Sequence, residues 1–250
     1  MSGAGPVTRA FDAAASRYEA HAGPQAHAAA RLAARLSELP LPEAPRILEI
    51  GCGTGFLTRH LASLDPRATI LATDRSLAML RVARANLAGH GGISFAAMDG
   101  ERLAAGGGFD LITANLAWQW FFDPFEAVER CRALLNPGGW LAFSTLGEAN
   151  FAEWRALCAV RGLPHGLRDY PSLAAWRSRF PAPCLITEER HPTTYPSALA
   201  FLRALRAIGA QAPVSGHRPA PAGALRRVLR GQEAGFRSSY HFLHVLIQSY

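Results

Sequence analysis

The chain has 250 residues, 49% of them hydrophobic, which is enough for one large domain or a domain with an elaborate insertion. Net charge is +7, from 26 Lys+Arg against 19 Asp+Glu, and all the basic residues are arginine because the sequence contains no lysine. The apolar runs fall far short of the roughly twenty residues that a membrane helix needs, the N-terminus lacks the apolar segment of a secretion signal, and the four cysteines form no C-x-x-C pair. These features argue against a membrane protein, a disulfide scaffold or a zinc site, and the cytoplasm is the expected compartment. The surplus charge makes a field for acidic partners, but no recognised nucleic-acid motif accompanies it.

Residues 11–39 are alanine-rich and helical in character, and Pro40, Pro42 and Pro45 close them. Strands are predicted at 46–50, 69–73, 92–96, 109–114 and 139–145, with helices at 54–63, 76–88 and 123–135. This alternation implies a parallel sheet covered on both faces. Asn136-Pro137-Gly138-Gly139 predicts a turn that stops one helix and opens the next strand. Beyond residue 147 the alternation breaks. Helices are predicted at 148–161, 171–179, 197–208 and 222–230, and strands at 184–191 and 238–248, the last closing the sheet. Proline and glycine at 211–223 predict a mobile connection. His241 and His244 form an H-x-x-H pair, but in a strand a three-residue offset puts them on opposite faces, which argues against a shared metal.

The most informative stretch is Ile47-Leu48-Glu49-Ile50-Gly51-Cys52-Gly53-Thr54-Gly55. A short buried strand ends in a carboxylate and then in three alternating glycines, which let the chain turn and leave backbone bare for a ligand. Asp74 ends the next strand, where a carboxylate can take ribose hydroxyls. A dinucleotide loop would read G-x-G-x-x-G around a pyrophosphate. Here the spacing is G-x-G-x-G, and Glu49 would repel a pyrophosphate but suits a cation. S-adenosylmethionine carries an ammonium and a sulfonium, so residues 46–55 read as its loop.

The strings 47–58, 72–80 and 109–145 resemble class I S-adenosylmethionine-dependent methyltransferases. The flanks narrow this. Phe11-Asp12-Ala13-Ala14-Ala15 with Tyr18, Ala22 and Gln25 resembles the start of the malonyl-acyl-carrier-protein O-methyltransferase family of biotin synthesis. So do Asn115-Leu116-Ala117-Trp118-Gln119-Trp120, Phe143-Ser144-Thr145-Leu146, the segment 202–210 and Tyr240-His241-Phe242-Leu243.

The resemblance implies an α/β fold: a doubly wound, mostly parallel, seven-stranded Rossmann-like sheet with helical cap insertions. Residues 1–250 would form one domain, with 1–45 a helical lid, 46–146 the cofactor core and 147–250 a half carrying substrate-cap helices. It implies methyl transfer from S-adenosylmethionine to the free carboxyl of a malonyl group on acyl carrier protein, with no metal, nucleic acid or membrane. Glu49 would hold the ammonium end, Gly51, Gly53 and Gly55 would underlie the methionine moiety and ribose, and Asp74 would take the ribose hydroxyls. Ser76 and Leu77 would border the adenine, Met98 its ring face and Asp99 its amine. Asn115 would either bond the cofactor or cap its turn.

A carboxylate acceptor is already ionised near neutral pH, so no general base is expected. A cation should grip it instead. Arg203 and Arg206, one helical turn apart, are the candidates, and Tyr18, Trp118, Trp120 and Tyr240 would shape the acyl channel or face the sulfonium. Three readings stay open beside this one: another small acid or coenzyme A thioester as acceptor, a protein that holds the cofactor without transferring methyl, and a nucleic-acid methylase. The last lacks its usual Asn/Asp-Pro-Pro-Tyr/Phe loop.

Overall fold

The computed structural model describes residues 5–181, 183–210, 222–230, 232 and 235–249. Seven strands, β1 (Arg46–Ile50), β2 (Thr69–Asp74), β3 (Ile93–Ala97), β4 (Phe109–Asn115), β5 (Leu135–Leu146), β6 (Cys184–Tyr195) and β7 (Phe236–Gln248), form one sheet in the order β3-β2-β1-β4-β5-β7-β6. β1 to β5 pair in parallel, and β7 runs antiparallel to both β5 and β6. This is the expected doubly wound sheet. Its order reverses between β1 and β4, and ligands of open parallel sheets bind beyond the strand ends at such a switch point.

Ten helices are described: α1 (Pro6–Ala14), α2 (Tyr18–His21), α3 (Gly23–Leu36), α4 (Phe56–Leu64), α5 (Leu77–Asn86), α6 (Pro124–Arg132), α7 (Ala152–Val160), α8 (Leu173–Arg179), α9 (Ala198–Ala207) and α10 (Ala222–Leu229). Their starts follow local chemistry. Side chains of Ser76, Asp123, Ser172 and Ser197 accept hydrogen bonds from first-turn N–H groups of α5, α6, α8 and α9. On one face of the sheet Trp118, Phe143 and Trp176 pack with Ile112 and Val245. On the other, Leu32 and Leu36 of α3 and Leu57 and Leu61 of α4 cover Ile47 and Ile70. A third cluster, Phe151, Trp154, Phe201, Tyr240 and Phe242, joins α7 and α9 to the end of β7.

Three expectations change. The single helix over 11–39 is instead α1, a short 3-10 turn at Ala15–Arg17, α2 and α3. Pro24 lacks the N–H needed inside a helix but suits the first turn, so α3 begins there. β5 begins at Leu135 rather than 139. The pairing jumps from Phe109↔Leu135 to Leu111↔Trp140, so Asn136 to Gly139 are absorbed as a bulge within the strand. β6 continues to Tyr195 because β7 pairs with it over its whole length. The predicted connection at 211–223 lies, as far as residue 221, outside the described residues.

The four cysteines are free. His241 and His244 are both buried and share no partner: His241 meets Glu188 at 3.1 Å, while His244 has no hydrogen bond. Among the described residues no helix is long and apolar enough to cross a membrane.

Candidate functional site

A cavity opens over the C-terminal ends of β1, β2 and β4, at the switch point. Its floor is the turn after β1. Gly51 and Gly53 have φ of +68° and +56°, values that favour glycine. A Cβ on Gly51 would lie 2.6 Å from that of Ala117, so the turn is pressed against the segment after β4. A Cβ on Gly53 would meet nothing within 4 Å, because its open side is the cavity.

Asp74, at the end of β2, clips this turn. Its Oδ2 accepts from the Gly53 N–H at 2.9 Å and its Oδ1 from the Ser76 N–H at 2.7 Å. Each oxygen keeps a lone pair for a ligand hydroxyl. Burial pushes the Asp74 carboxyl up from its ordinary value, and those two N–H donors oppose the shift. Glu49 is 1% exposed and its Oε2 has no hydrogen-bond partner. Burial, with Asp74 adding to it, pushes its carboxyl up to about 8. Ionising a buried carboxyl that leaves one oxygen unpartnered is costly, and a nearby cation would relieve that cost.

The N-terminal helices wall one side. Phe11 stands edge-on to Trp120 with ring centroids 5.4 Å apart, and Asp12 accepts from the Ser76 hydroxyl at 2.6 Å, so α1 is tied to the start of α5. Asn115 joins this wall to the sheet: its Nδ2 donates to the Gln25 carbonyl at 3.0 Å and its Oδ1 accepts from the Ser144 hydroxyl at 2.8 Å. The far wall includes Leu116 and Phe151, two of the three non-glycine residues with positive φ among the described residues. Backbone strain of this kind gathers at functional sites.

Of the residues singled out in the sequence, Gly51, Gly53, Asp74 and Ser76 line the cavity with Met98, Asp99 and Asn115. So do Tyr18, Trp120 and Tyr240. Burial, with Asp74 beside it, holds the Tyr18 hydroxyl well above its ordinary value.

Six lie elsewhere. Glu49 is behind the wall rather than on it. Gly55 opens α4, where a Cβ would meet Leu87 at 2.8 Å. Leu77 is mostly exposed outside the cavity. Trp118 is fully buried in the core, stacked on Phe143 at 4.0 Å and donating from Nε1 to the Pro124 carbonyl at 2.9 Å. Arg203 and Arg206 are exposed and do not line the cavity. Phe201, Leu205 and Ile208 occupy the buried face of that segment, and Leu205 and Ile208 supply its contribution to the wall. The i, i+3 spacing was right about the arginines sharing a face, but the apolar stripe already claimed the inner one.

Sequence reasoning did not assign a role to Phe11, Gln25, Phe151, Arg168 or Tyr170, all of which line the cavity. Arg168 and Tyr170 sit on the connection between α7 and α8, where no periodicity marks a direction. Away from the cavity, His27, Glu189 and His191 bring ligand-type atoms within 4.8 Å of one another, yet Glu189 already meets His27 at 2.6 Å and Arg31 at 3.2 Å.

Comparison with known proteins agrees with this geometry. A family model described as "Methyltransferase domain" matches residues 48–141. The chain is 44% identical over 236 residues to a malonyl-[acyl-carrier protein] O-methyltransferase of Magnetococcus marinus, covering 92% of this chain and 87% of that one. It is 46% identical over 225 residues to the biotin biosynthesis bifunctional protein BioCD of Bordetella avium, covering 90% of this chain and 48% of that protein. A trans-aconitate 2-methyltransferase of Streptomyces avermitilis is 35% identical over 202 residues, 80% of this chain and 69% of that one. Among solved structures, a putative methyltransferase from Bacillus halodurans shares the fold with a TM-score of 0.61 at 16% identity, covering 88% of this chain and 98% of that one. With an S-adenosylmethionine-type loop at the sheet's switch point and this extent of identity across both halves, the chain belongs to the malonyl-[acyl-carrier protein] O-methyltransferase family of class I methyltransferases.

Proposed function

We propose that this protein methylates the free carboxyl of a malonyl group carried on acyl carrier protein, in the route to biotin. The observation that carries the reading is the 44% identity over 92% of the chain, because it extends beyond the cofactor core through the second half. The names of the relatives support carboxyl chemistry, since malonyl and trans-aconitate groups are both carboxylic acids. The BioCD relative supports the biotin assignment. The absence of a long apolar helix among the described residues is compatible with work in the cytoplasm.

The residues of the cavity fit S-adenosylmethionine. Asp74 keeps lone pairs for the ribose hydroxyls, Gly53 leaves bare space, and behind the wall Glu49 has a buried oxygen without a partner. We assign the methionine end to Gly51 and Gly53 on the cavity floor, with Glu49 behind the wall acting through water or the loop and Gly55 shaping the turn where α4 begins. Asp74 takes the ribose, while Ser76, Met98 and Asp99 receive the adenine and Leu77 flanks its helix. When bound, the cofactor supplies a methyl group activated by its positive sulfur.

The chain's own task is alignment. The acceptor carboxylate is ionised near neutral pH, so no residue has to take its proton. What the protein contributes is positioning and exclusion of water. Residues 1–45 act as the lid, with α1 and α2 closing over the donor through Phe11 and Tyr18. Residues 46–146 are the cofactor core, and 147–250 carry the cap. Trp120 and Tyr240 shape the acyl channel. Trp118 packs in the core on Phe143, and Arg203 and Arg206 on the outer face of α9 meet the acidic carrier.

Incubating the protein with S-adenosylmethionine and malonyl-acyl carrier protein should give the malonyl methyl ester, read by mass spectrometry. Ester formed only from free trans-aconitate or from malonyl-coenzyme A would move the acceptor to another acid or thioester. Bound cofactor with no ester on any acid would leave a cofactor-holding protein.

A further inference from the structure

A site that grips a carboxylate needs a cation on the cavity wall, and Arg203 and Arg206 are not there. Among the described residues two arginines are: Arg75 and Arg168. Arg75 faces Asp99 at 3.8 Å, on the side where the loop after β3 closes the cavity. Arg168 makes no ion pair among the described residues, and its buried Nε has no hydrogen-bond acceptor. Its guanidinium carbon lies 5.1 Å from the centre of the Trp120 ring. Tyr170, two residues on, lines the same wall.

The connection bearing these residues is held firmly. Arg155 of α7 donates through Nη2 to the Arg168 carbonyl at 2.5 Å, through Nη1 to Asp169 at 3.0 Å and through Nε to the Asn150 carbonyl at 3.2 Å. Trp154 donates from Nε1 to the His165 carbonyl at 2.9 Å, and the Leu167 N–H donates to His165 Nδ1 at 3.1 Å. The segment spends one buried-side arginine, Arg155, on fixing the backbone that carries another. A guanidinium positioned in this way, with an unmet donor and no carboxylate opposite, is a receptor for an anion from outside the chain.

We propose that Arg168, with the Tyr170 hydroxyl beside it, receives the carboxylate of the acceptor. This rests on the acceptor being the malonyl group proposed above. In transfer, a carboxylate oxygen forms the new bond to the methyl carbon, and the carbon–sulfur bond breaks with its electron pair going to sulfur. The carboxylate's charge disappears with the sulfonium's. Arg168 therefore holds the substrate and loses its hold on the ester, which favours product release and makes the site a reader of the free acid. Contact through one oxygen leaves the other able to attack. Burial pushes the Tyr170 hydroxyl up to about 12, with Arg168 and Arg155 opposing, so it stays a donor at neutral pH.

The test compares unaltered protein with Arg168→Ala, Arg168→Lys and Tyr170→Phe, measuring KM and kcat for malonyl-acyl carrier protein and calorimetric affinity for S-adenosylhomocysteine. Losing charge-assisted hydrogen bonds should raise KM about 10- to 100-fold in Arg168→Ala, with partial recovery in Arg168→Lys. S-adenosylhomocysteine affinity should stay within about twofold, which also reports that the variant is folded. The unaltered protein should be inhibited far more by unreactive malonyl-carrier analogue than by the methyl ester, and Arg168→Ala should lose that preference. Unchanged KM and preference in Arg168→Ala, with ester still made by the unaltered protein, overturn this assignment alone. No ester from unaltered protein that binds cofactor overturns the malonyl reading, and this assignment with it.

Discussion

Glu49 lies behind the cavity wall, and its protonation couples the cavity to pH. Its carboxyl is raised to about 8 because burial disfavours the ionised form, and Asp74 nearby adds to this. In an unfolded chain the same group titrates near 4.3. Between those values the folded state holds more protons than the unfolded one, so ligand-free stability should fall as pH rises from roughly 4.5 to about 8. An ammonium reverses the preference by stabilising the carboxylate. Cofactor binding below pH 8 should therefore release up to one proton, and affinity should rise with pH toward that value. Calorimetry in two buffers of different ionisation enthalpy reads the proton directly. Glu49→Gln should abolish the release and flatten the pH dependence; a release that survives the substitution would place the titration on Asp74, which burial also raises. The places of Gly51, Gly53 and Asp74 on the cavity were legible in the sequence because their relation is local. Strand ends and a five-residue turn fix where such side chains stand. Arg168 was not legible, since its direction is set by Arg155, thirteen residues earlier, through hydrogen bonds that no spacing encodes.

At the scale of elements, all seven strands were readable as short runs bounded by turn residues, but not the start of β5 or the end of β6, which pairing with β4 and β7 sets. The N-terminal segment was readable only as helical. The break before α3 is local, at Pro24, whereas the place of α1 depends on what it packs against: Asp12 on Ser76, Phe11 on Trp120, and the backbone at Ala10 lying 3.0 Å from where a Cβ on Gly209 would stand. These few ties hold α1 at the cavity mouth, and such an element can open locally without unfolding the core. If it closes over the donor, bound ligand must stabilise the closed form by mass action. In limited trypsin digestion, cleavage after the exposed Arg17 should slow about tenfold or more at saturating S-adenosylhomocysteine. Asp12→Ala should be cut faster than unaltered protein without ligand, because the tie to Ser76 is gone. Equal cleavage rates with and without ligand would show that α1 and α2 are a fixed wall and not a lid.

For the whole molecule, the excess of 26 basic over 19 acidic residues lies mainly on the surface, because among the described residues two arginines line the cavity. Many surface arginines are already engaged: Arg59 with Glu19, Arg67 with Asp65, Arg130 with Glu126 and Arg179 with Glu129. Arg203 and Arg206 make no ion pair among the described residues and stand on the outer side of a helix whose inner side walls the cavity. A carrier that delivers its thioester into this cavity has to rest near its rim, and an acidic carrier would find unpaired guanidinium groups there. Exposed charges are screened over about 10 Å at 0.1 M salt, whereas a carboxylate held at Arg168 inside the cavity is screened much less. The two arginine sets should thus separate by ionic strength. Between roughly 50 and roughly 300 mM salt, KM for malonyl-acyl carrier protein should rise by about tenfold, carried by association rate, while KM for a malonyl-pantetheine stub changes little. Arg203→Glu with Arg206→Glu should raise KM for the carrier-bound substrate, flatten its salt dependence and spare the stub. Loss of activity on the stub as well would mean that α9 acts on the cavity itself through Leu205 and Ile208, and that the carrier docks elsewhere.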